Sequence, residues 1–228
     1  MEKIAALLFE PVGCLAEFRP DGFDQAAHEL FGATVDASAS GSQAFWRLVD
    51  LIGRRPQLAS SPQLEAFEIA AVEQSDVYED VRPSLEKLRT SGVQIHLATS
   101  LSRQALARFV ARFDLAELLS GQVARDDAQG VGTGPLRHAL EQAGLEPRHC
   151  IYLADTGFSL DIAKRVGVNG LLMINDYDEG RALAECNPMG GVVSLTELSD
   201  ALQLIEQRAG LRSTQRMPGR PYELFEPG

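Results

Sequence analysis

The chain has 228 residues, 45% hydrophobic and 23% charged, the composition of an ordinary soluble globular protein able to bury a sizeable core. Its 32 acidic and 21 basic residues leave a net charge of -11, and no cluster of Lys or Arg offsets it, which argues against nucleic acid as a partner. The apolar run Ile4 to Phe9 is too short for a membrane span and ends at Glu10-Pro11 without a cleavage-site pattern, so neither a membrane anchor nor a signal peptide is expected. Cys14, Cys150 and Cys186 are odd in number and far apart, which fits a reduced, cytoplasmic setting rather than a disulfide framework.

In chain order, residues 4–9 form a continuous apolar run of the kind found in strands buried on both faces, broken by the turn signal Pro11-Val12-Gly13. A helix over 83–90 and the turn Ser91-Gly92 introduce a second strand at 94–98. A third strand is expected at 150–154 and a fourth at 170–174. Amphipathic helical spacing covers 103–113, 135–143 and 160–166, and Gly144 and Gly167 stand where the last two helices need C-caps. Strands alternating with helices predict an α/β fold, a Rossmann-like parallel sheet of five strands covered on both faces. Ligands in such folds sit at the carboxyl ends of the strands, which directs attention to 9–14, 99–102 and 155–159.

The segment 16–80 breaks this rhythm. Helical spacing at 25–31, 43–52 and 62–74, with turn-rich separators and no strand run, predicts a small all-helical domain inserted after the first strand. The expected organisation is therefore a core of residues 1–15 and 81–210, a helical insertion of 16–80, and an extended or disordered tail of 211–228. Tyr222, Leu224 and Phe225 give that tail side chains able to dock on a surface.

The strand ends carry a pattern. Glu10-Pro11-Val12-Gly13-Cys14-Leu15 follows the first strand, and Leu97-Ala98-Thr99-Ser100 closes the second. Gly130-Val131-Gly132-Thr133-Gly134-Pro135 precedes a helix, and Ala154-Asp155-Thr156-Gly157-Phe158-Ser159 closes the third strand. In order and spacing this chain resembles the haloacid dehalogenase superfamily, in its helical-cap branch of phosphoglycolate-phosphatase and β-phosphoglucomutase-like proteins, over roughly residues 4–205. The resemblance implies that 16–80 is a cap over the strand ends. It also implies that Glu10 stands where the family has a nucleophilic aspartate and Val12 where it has the proton-transferring aspartate. Thr99 matches the family's Thr or Ser, Gly130 replaces its lysine, Asp155 is kept, and Ser159 replaces a second carboxylate.

These replacements bear directly on the chemistry. The family attacks phosphorus with a carboxylate that also ligates Mg²⁺, with a neighbouring acid to move the proton and a lysine to neutralise the transferring group. Glu10 is one methylene longer than aspartate, a displacement of roughly 1 Å that can lower a rate on the order of 10²-fold. Val12 has no proton to transfer, a loss of about 10²–10⁴. Glu10, the Val12 carbonyl and Asp155 are the candidate ligands for a Mg²⁺ site expected to be weak or absent. The resulting expectation is a degraded phosphatase that serves binding or regulation, with a small phosphorylated metabolite or anion, a protein partner or a second copy of the chain as its partner. The alternative is an unusual Mg²⁺-dependent phosphohydrolase using Glu10 and Asp155, and it stays open at this point.

Plainer roles stand beside these. Asp155 is expected to accept backbone N–H bonds from the 156–158 turn. Arg125, five residues before the position of the missing lysine, is expected to be a surface charge, the alternative being that it reaches the cleft in the lysine's place. Cys14 reads as a partly buried small residue, and Phe45 and Trp46 as the insertion's own small core. The Gly130, Gly132 and Gly134 run reads as a flexible loop, and His28, His96, His138 and His149 have no zinc-ligand spacing.

Overall fold

The structure, a computed structural model, describes residues 3–128 and 130–214, with the backbone path alone at 177, 178 and 208–214. Strand β1 (Ala6–Phe9) runs into a single irregular turn, α1 (Pro11–Cys14), in which Val12 and Gly13 leave helical geometry. The segment that follows contains β2 (Ala16–Glu17), helices α2 (Pro20–Phe31), α3 (Gly41–Arg54) and α4 (Pro62–Glu73), and β3 (Asp76–Val77). The two-residue strands β2 and β3 pair antiparallel with each other as a ribbon where the inserted helices leave and rejoin the core.

After it come α5 (Val81–Thr90), β4 (Gln94–Ala98), α6 (Arg103–Arg112), β5 (Gly121–Val123), α7 (Thr133–Ala143), β6 (Cys150–Ala154), α8 (Gly157–Val166), β7 (Asn169–Met173), α9 (Tyr177–Leu183), β8 (Gly190–Val192) and α10 (Leu198–Thr214). The sheet is parallel and has six strands in the order β5-β4-β1-β6-β7-β8, one more than the five expected. The two without an apolar run of their own are β5 and β8, three-residue edge strands too short to carry a hydrophobic period. Helix α10 continues through residue 214 rather than ending near 210. The remaining tail, with Tyr222, Leu224 and Phe225, lies outside the described residues.

The register of the sheet positions the strand ends. Phe9 lies opposite Leu97 on β4 and opposite Leu153 on β6, so Glu10, Thr99 and Asp155 leave the sheet together at one carboxyl edge. Every residue of β1 and β6 is buried, as the apolar runs require of central parallel strands. Ser40 caps α3 in a reciprocal box with Gln43, Ser102 caps α6, and Thr156 caps α8 with Ser159. Gly144 and Gly167 close α7 and α8 in the left-handed region. Among the described residues no helix is long and apolar enough to cross a membrane.

The inserted helices and the core share one buried apolar cluster. Phe18 stacks on Phe23 from α2 at 5.8 Å and on Phe109 from α6 at 6.1 Å, and Phe109 meets Phe113 edge-on at 5.0 Å. Trp46 reaches out of the insertion as well, stacking on Phe158 of α8 at 5.4 Å. Phe109→Ala is therefore expected to lower stability by about 3–5 kcal/mol. Trp46 fluorescence and far-UV circular dichroism should still report a single urea transition. A separate, earlier transition seen by Trp46 alone would show that the insertion folds independently of the core.

Candidate functional site

Glu10, Thr99 and Asp155, the sequence-derived candidates, do converge at the carboxyl edge of β1, β4 and β6, and all three are buried. Their hydrogen bonds turn inward. Thr99 Oγ1 donates to Glu10 Oε1 at 2.5 Å, the Ser100 backbone N–H donates to Glu10 Oε2 at 3.3 Å, and Leu101 N–H holds the Thr99 hydroxyl at 3.1 Å. Glu10 is 1% exposed. Burial pushes its carboxyl up to about 8, against the pull of Thr99, Ser100 and the Val12 backbone, with the nearby Asp155 charge adding to the rise. At neutral pH Glu10 is thus mostly a neutral acid and a poor nucleophile.

Asp155, 6% exposed, is likewise raised to about 6, chiefly by burial, with Ser42 and Trp46 from α3 countering and Glu179 reinforcing the rise. Ser42 and Trp46 turn their polar groups towards this carboxyl, and its Oδ1, Ser42 Oγ and Trp46 Nε1 are all sealed from solvent. This corrects the expectation that Asp155 is tied to the 156–158 turn. Thr156 and Ser159 close that turn between themselves, Ser159 Oγ accepting from Thr156 N–H at 3.1 Å and Thr156 Oγ1 from Ser159 N–H at 3.2 Å. Ser159, at the position of the second family carboxylate, is thereby spent on capping α8.

Gly13 packs against the Asp155 carboxyl. At φ +78° it occupies a conformation that side chains rarely adopt, and a Cβ there would lie 1.9 Å from Asp155 Oδ2 and 2.8 Å from Ser42 Oγ. Beside it, Val12 is fully buried apolar matter. Cys14 is fully rather than partly buried, and its Sγ donates to the Leu153 carbonyl at 3.4 Å. Burial raises its thiol well above the ordinary range, so it is no nucleophile. Gly130 has φ +97° and open space where a side chain would start, and its N–H bonds the Ala128 carbonyl at 3.0 Å.

Arg125 is the largest departure from the sequence reading. Expected on the surface, it is 4% exposed, and its guanidinium forms an ion pair with Glu68 of α4. It also donates to the carbonyls of Ser100 at 3.1 Å and Ala59 at 2.8 Å. Glu68 Oε2 accepts from the Ser102 backbone N–H at 3.0 Å, at the N-terminus of α6. Burial pushes the Glu68 carboxyl up, and Arg125 and Ser102 oppose that shift. Ser42, Trp46 and Glu68 are the site residues that motif spacing does not reveal. One signal for Glu68 was available: it shares the buried stripe of α4 with Leu64, Ala71 and Val72, where a carboxylate needs a partner.

The family resemblance implies Mg²⁺, and the donor set does not fit it. Mg²⁺ requires near-octahedral oxygens, usually one or two of them ionised carboxylates. Glu10 is closed off from solvent, and both its carboxyl oxygens are engaged, by Thr99 and by Ser100. Among the described residues no three His, Cys, Asp or Glu side chains group in a way that could hold a metal ion, zinc included.

Comparison with known proteins agrees with the architecture. The family model described as haloacid dehalogenase-like hydrolase matches residues 48–173. Phosphoglycolate phosphatase of Aliivibrio fischeri is 23% identical over 72% of this chain and 74% of its own length. Phosphoglycolate phosphatase 1 of Pseudomonas aeruginosa is 25% identical over 59% of this chain, a match that spans about half of that enzyme (49%). A haloacid dehalogenase-like family hydrolase of Streptococcus pneumoniae shares the fold with a TM-score of 0.64 at 16% identity, over 88% of this chain and 99% of that one.

The raised carboxyls set a pH dependence. The unfolded chain releases the Glu10 proton near 4.5 and the folded protein near 8, so stability is fullest below about pH 4.5 for this group and declines as pH rises to about 8. Asp155 adds a similar decline between about pH 4 and 6. Glu10→Gln should flatten the decline between about pH 5 and 8, with an upper bound of about 5 kcal/mol on the effect. Urea unfolding of both proteins across that range checks this, and equal pH slopes would contradict it.

Proposed function

The chain belongs to the haloacid dehalogenase-like hydrolase family, and from that premise we propose that it is a catalytically impaired phosphatase relative that works by binding or regulation. In this reading residues 16–80 serve as the cap, and 1–15 with 81–210 as the core that carries the inherited cleft.

One observation carries the proposal: the donors that would hold a phosphoryl group at the strand ends are taken by the protein's own carboxylates. Glu10 occupies the Thr99 hydroxyl and the Ser100 N–H. Glu68 occupies the Ser102 N–H and the Arg125 guanidinium. Ser100 Oγ accepts from the Gly132 N–H at 2.9 Å, which removes a third donor. Val12 brings no proton-transferring group, and Gly130 brings no countercharge. The Arg125 charge does not replace the missing lysine, because Glu68 neutralises it. A neutral Glu10 at pH 7 weakens the remaining route, nucleophilic attack by that carboxylate.

Assay with p-nitrophenyl phosphate and a panel of sugar phosphates, in Mg²⁺, Mn²⁺ or Co²⁺, should show no turnover approaching about 1 per second, an ordinary enzyme rate. Turnover at that rate, lost in Glu10→Ala, would overturn the proposal.

A further inference from the structure

Away from the cleft, beside the amino ends of β7 and β8, α8 and the turn before β8 enclose a groove of about 470 Å³. Its lining is mainly apolar. Leu160 and Val168 are buried beneath it, while Met189, 41% exposed, is one of the few large apolar side chains that the described residues leave to solvent. An apolar hollow with an exposed methionine on its wall gains free energy when an apolar side chain covers it.

Charge narrows the occupant. Lys164 is the one charged side chain of the lining, and no carboxylate stands beside it. The other grooves of comparable size all place Asp or Glu in their linings. An apolar segment carrying negative charge is therefore repelled at those grooves and attracted at this one. This chain holds such a segment, Tyr222-Glu223-Leu224-Phe225-Glu226, beyond the described residues.

The path of α10 brings that segment within reach. The helix passes the amino edge of the sheet at Glu206, whose Oε1 accepts from the Ile4 N–H at 2.8 Å, and it continues for about two turns to Thr214. Strand β7 lies two strands from β1, about 10 Å away along the same edge. Residues 215–222 span up to about 27 Å when extended, which covers that separation with length to spare.

We propose that residues 222–226 dock in this groove of their own chain, with Leu224 and Phe225 against Leu160, Val168 and Met189 and the flanking glutamates beside Lys164. The docked segment covers Cys186, an exposed thiol of the same lining. Cys14 and Cys150 are buried, so a thiol reagent acting on the folded protein reads Cys186.

The test is the rate of modification by N-ethylmaleimide, an uncharged reagent, in the full chain and in a variant shortened at Thr214, both checked for folding by circular dichroism. Cys186 should react about tenfold more slowly in the full chain. Leu224→Ser combined with Phe225→Ser should restore the rate of the shortened protein. Lys164→Glu, an exposed change on α8, should bring the full chain to within about twofold of a shortened protein carrying the same substitution. Equal rates in the full and shortened proteins, or a slowing that survives the double serine variant, would overturn the proposal. A slowing that grows with protein concentration would overturn it in favour of the same segment from a second copy. A slowing unchanged by Lys164→Glu would overturn the placement of the glutamates. Because a thiol rate reads the groove without turnover, the outcome is independent of the loss of phosphatase activity.

Discussion

The buried ion pair between Glu68 and Arg125 is the contact on which the rest of the site depends. Two opposite charges removed from water are stable only when both are fully partnered. Here Arg125 is held by Glu68 and by the carbonyls of Ser100 and Ala59, while Glu68 also receives the Ser102 N–H. Those partners come from the insertion and from two loops of the core at once. Removing one charge strands the other, typically at about 3–5 kcal/mol. The pair thus fixes α4 over the strand ends and places a carboxylate at the N-terminus of α6, where the helix dipole favours negative charge.

With that helix fixed, the remaining contacts follow. The Trp46–Phe158 stack and the Gln43–Glu179 hydrogen bond hold α3 against α8 and α9, so Ser42 and Trp46 come to face Asp155. Water is excluded from Glu10, and its carboxyl is held in the neutral form. A cleft arranged in this way has its anion-holding donors satisfied internally on the Thr99–Ser102 side.

Much of this architecture is legible in the sequence because it is encoded locally. The strands β4 and β6 coincide with their apolar runs, and Gly144 and Gly167 end their helices where the spacing places them. The strand ends are found because a buried parallel strand must stop at a polar turn. What escapes is set by partners distant in sequence. Arg125 is separated from Glu68 by 57 positions, and no local pattern distinguishes a surface arginine from one awaiting a buried carboxylate. Asp155 was expected to bind its own turn, but Thr156 and Ser159 satisfy that turn reciprocally and leave the carboxyl to the insertion. The edge strands β5 and β8 begin at glycine and offer too few side chains to show a period.

The central claim is that the protein's own carboxylates occupy the anion-holding donors of the cleft. Titration of ¹⁵N-labelled protein with inorganic phosphate, following the backbone amides of Ser100, Ser102 and Gly132, reads those donors directly. With Glu10, Glu68 and Ser100 Oγ in place, the three amide resonances should not move up to about 10 mM phosphate. Saturable shifts of all three at lower phosphate, matched by a change at the Arg125 guanidinium, would show that an anion displaces Glu68 and would contradict the account.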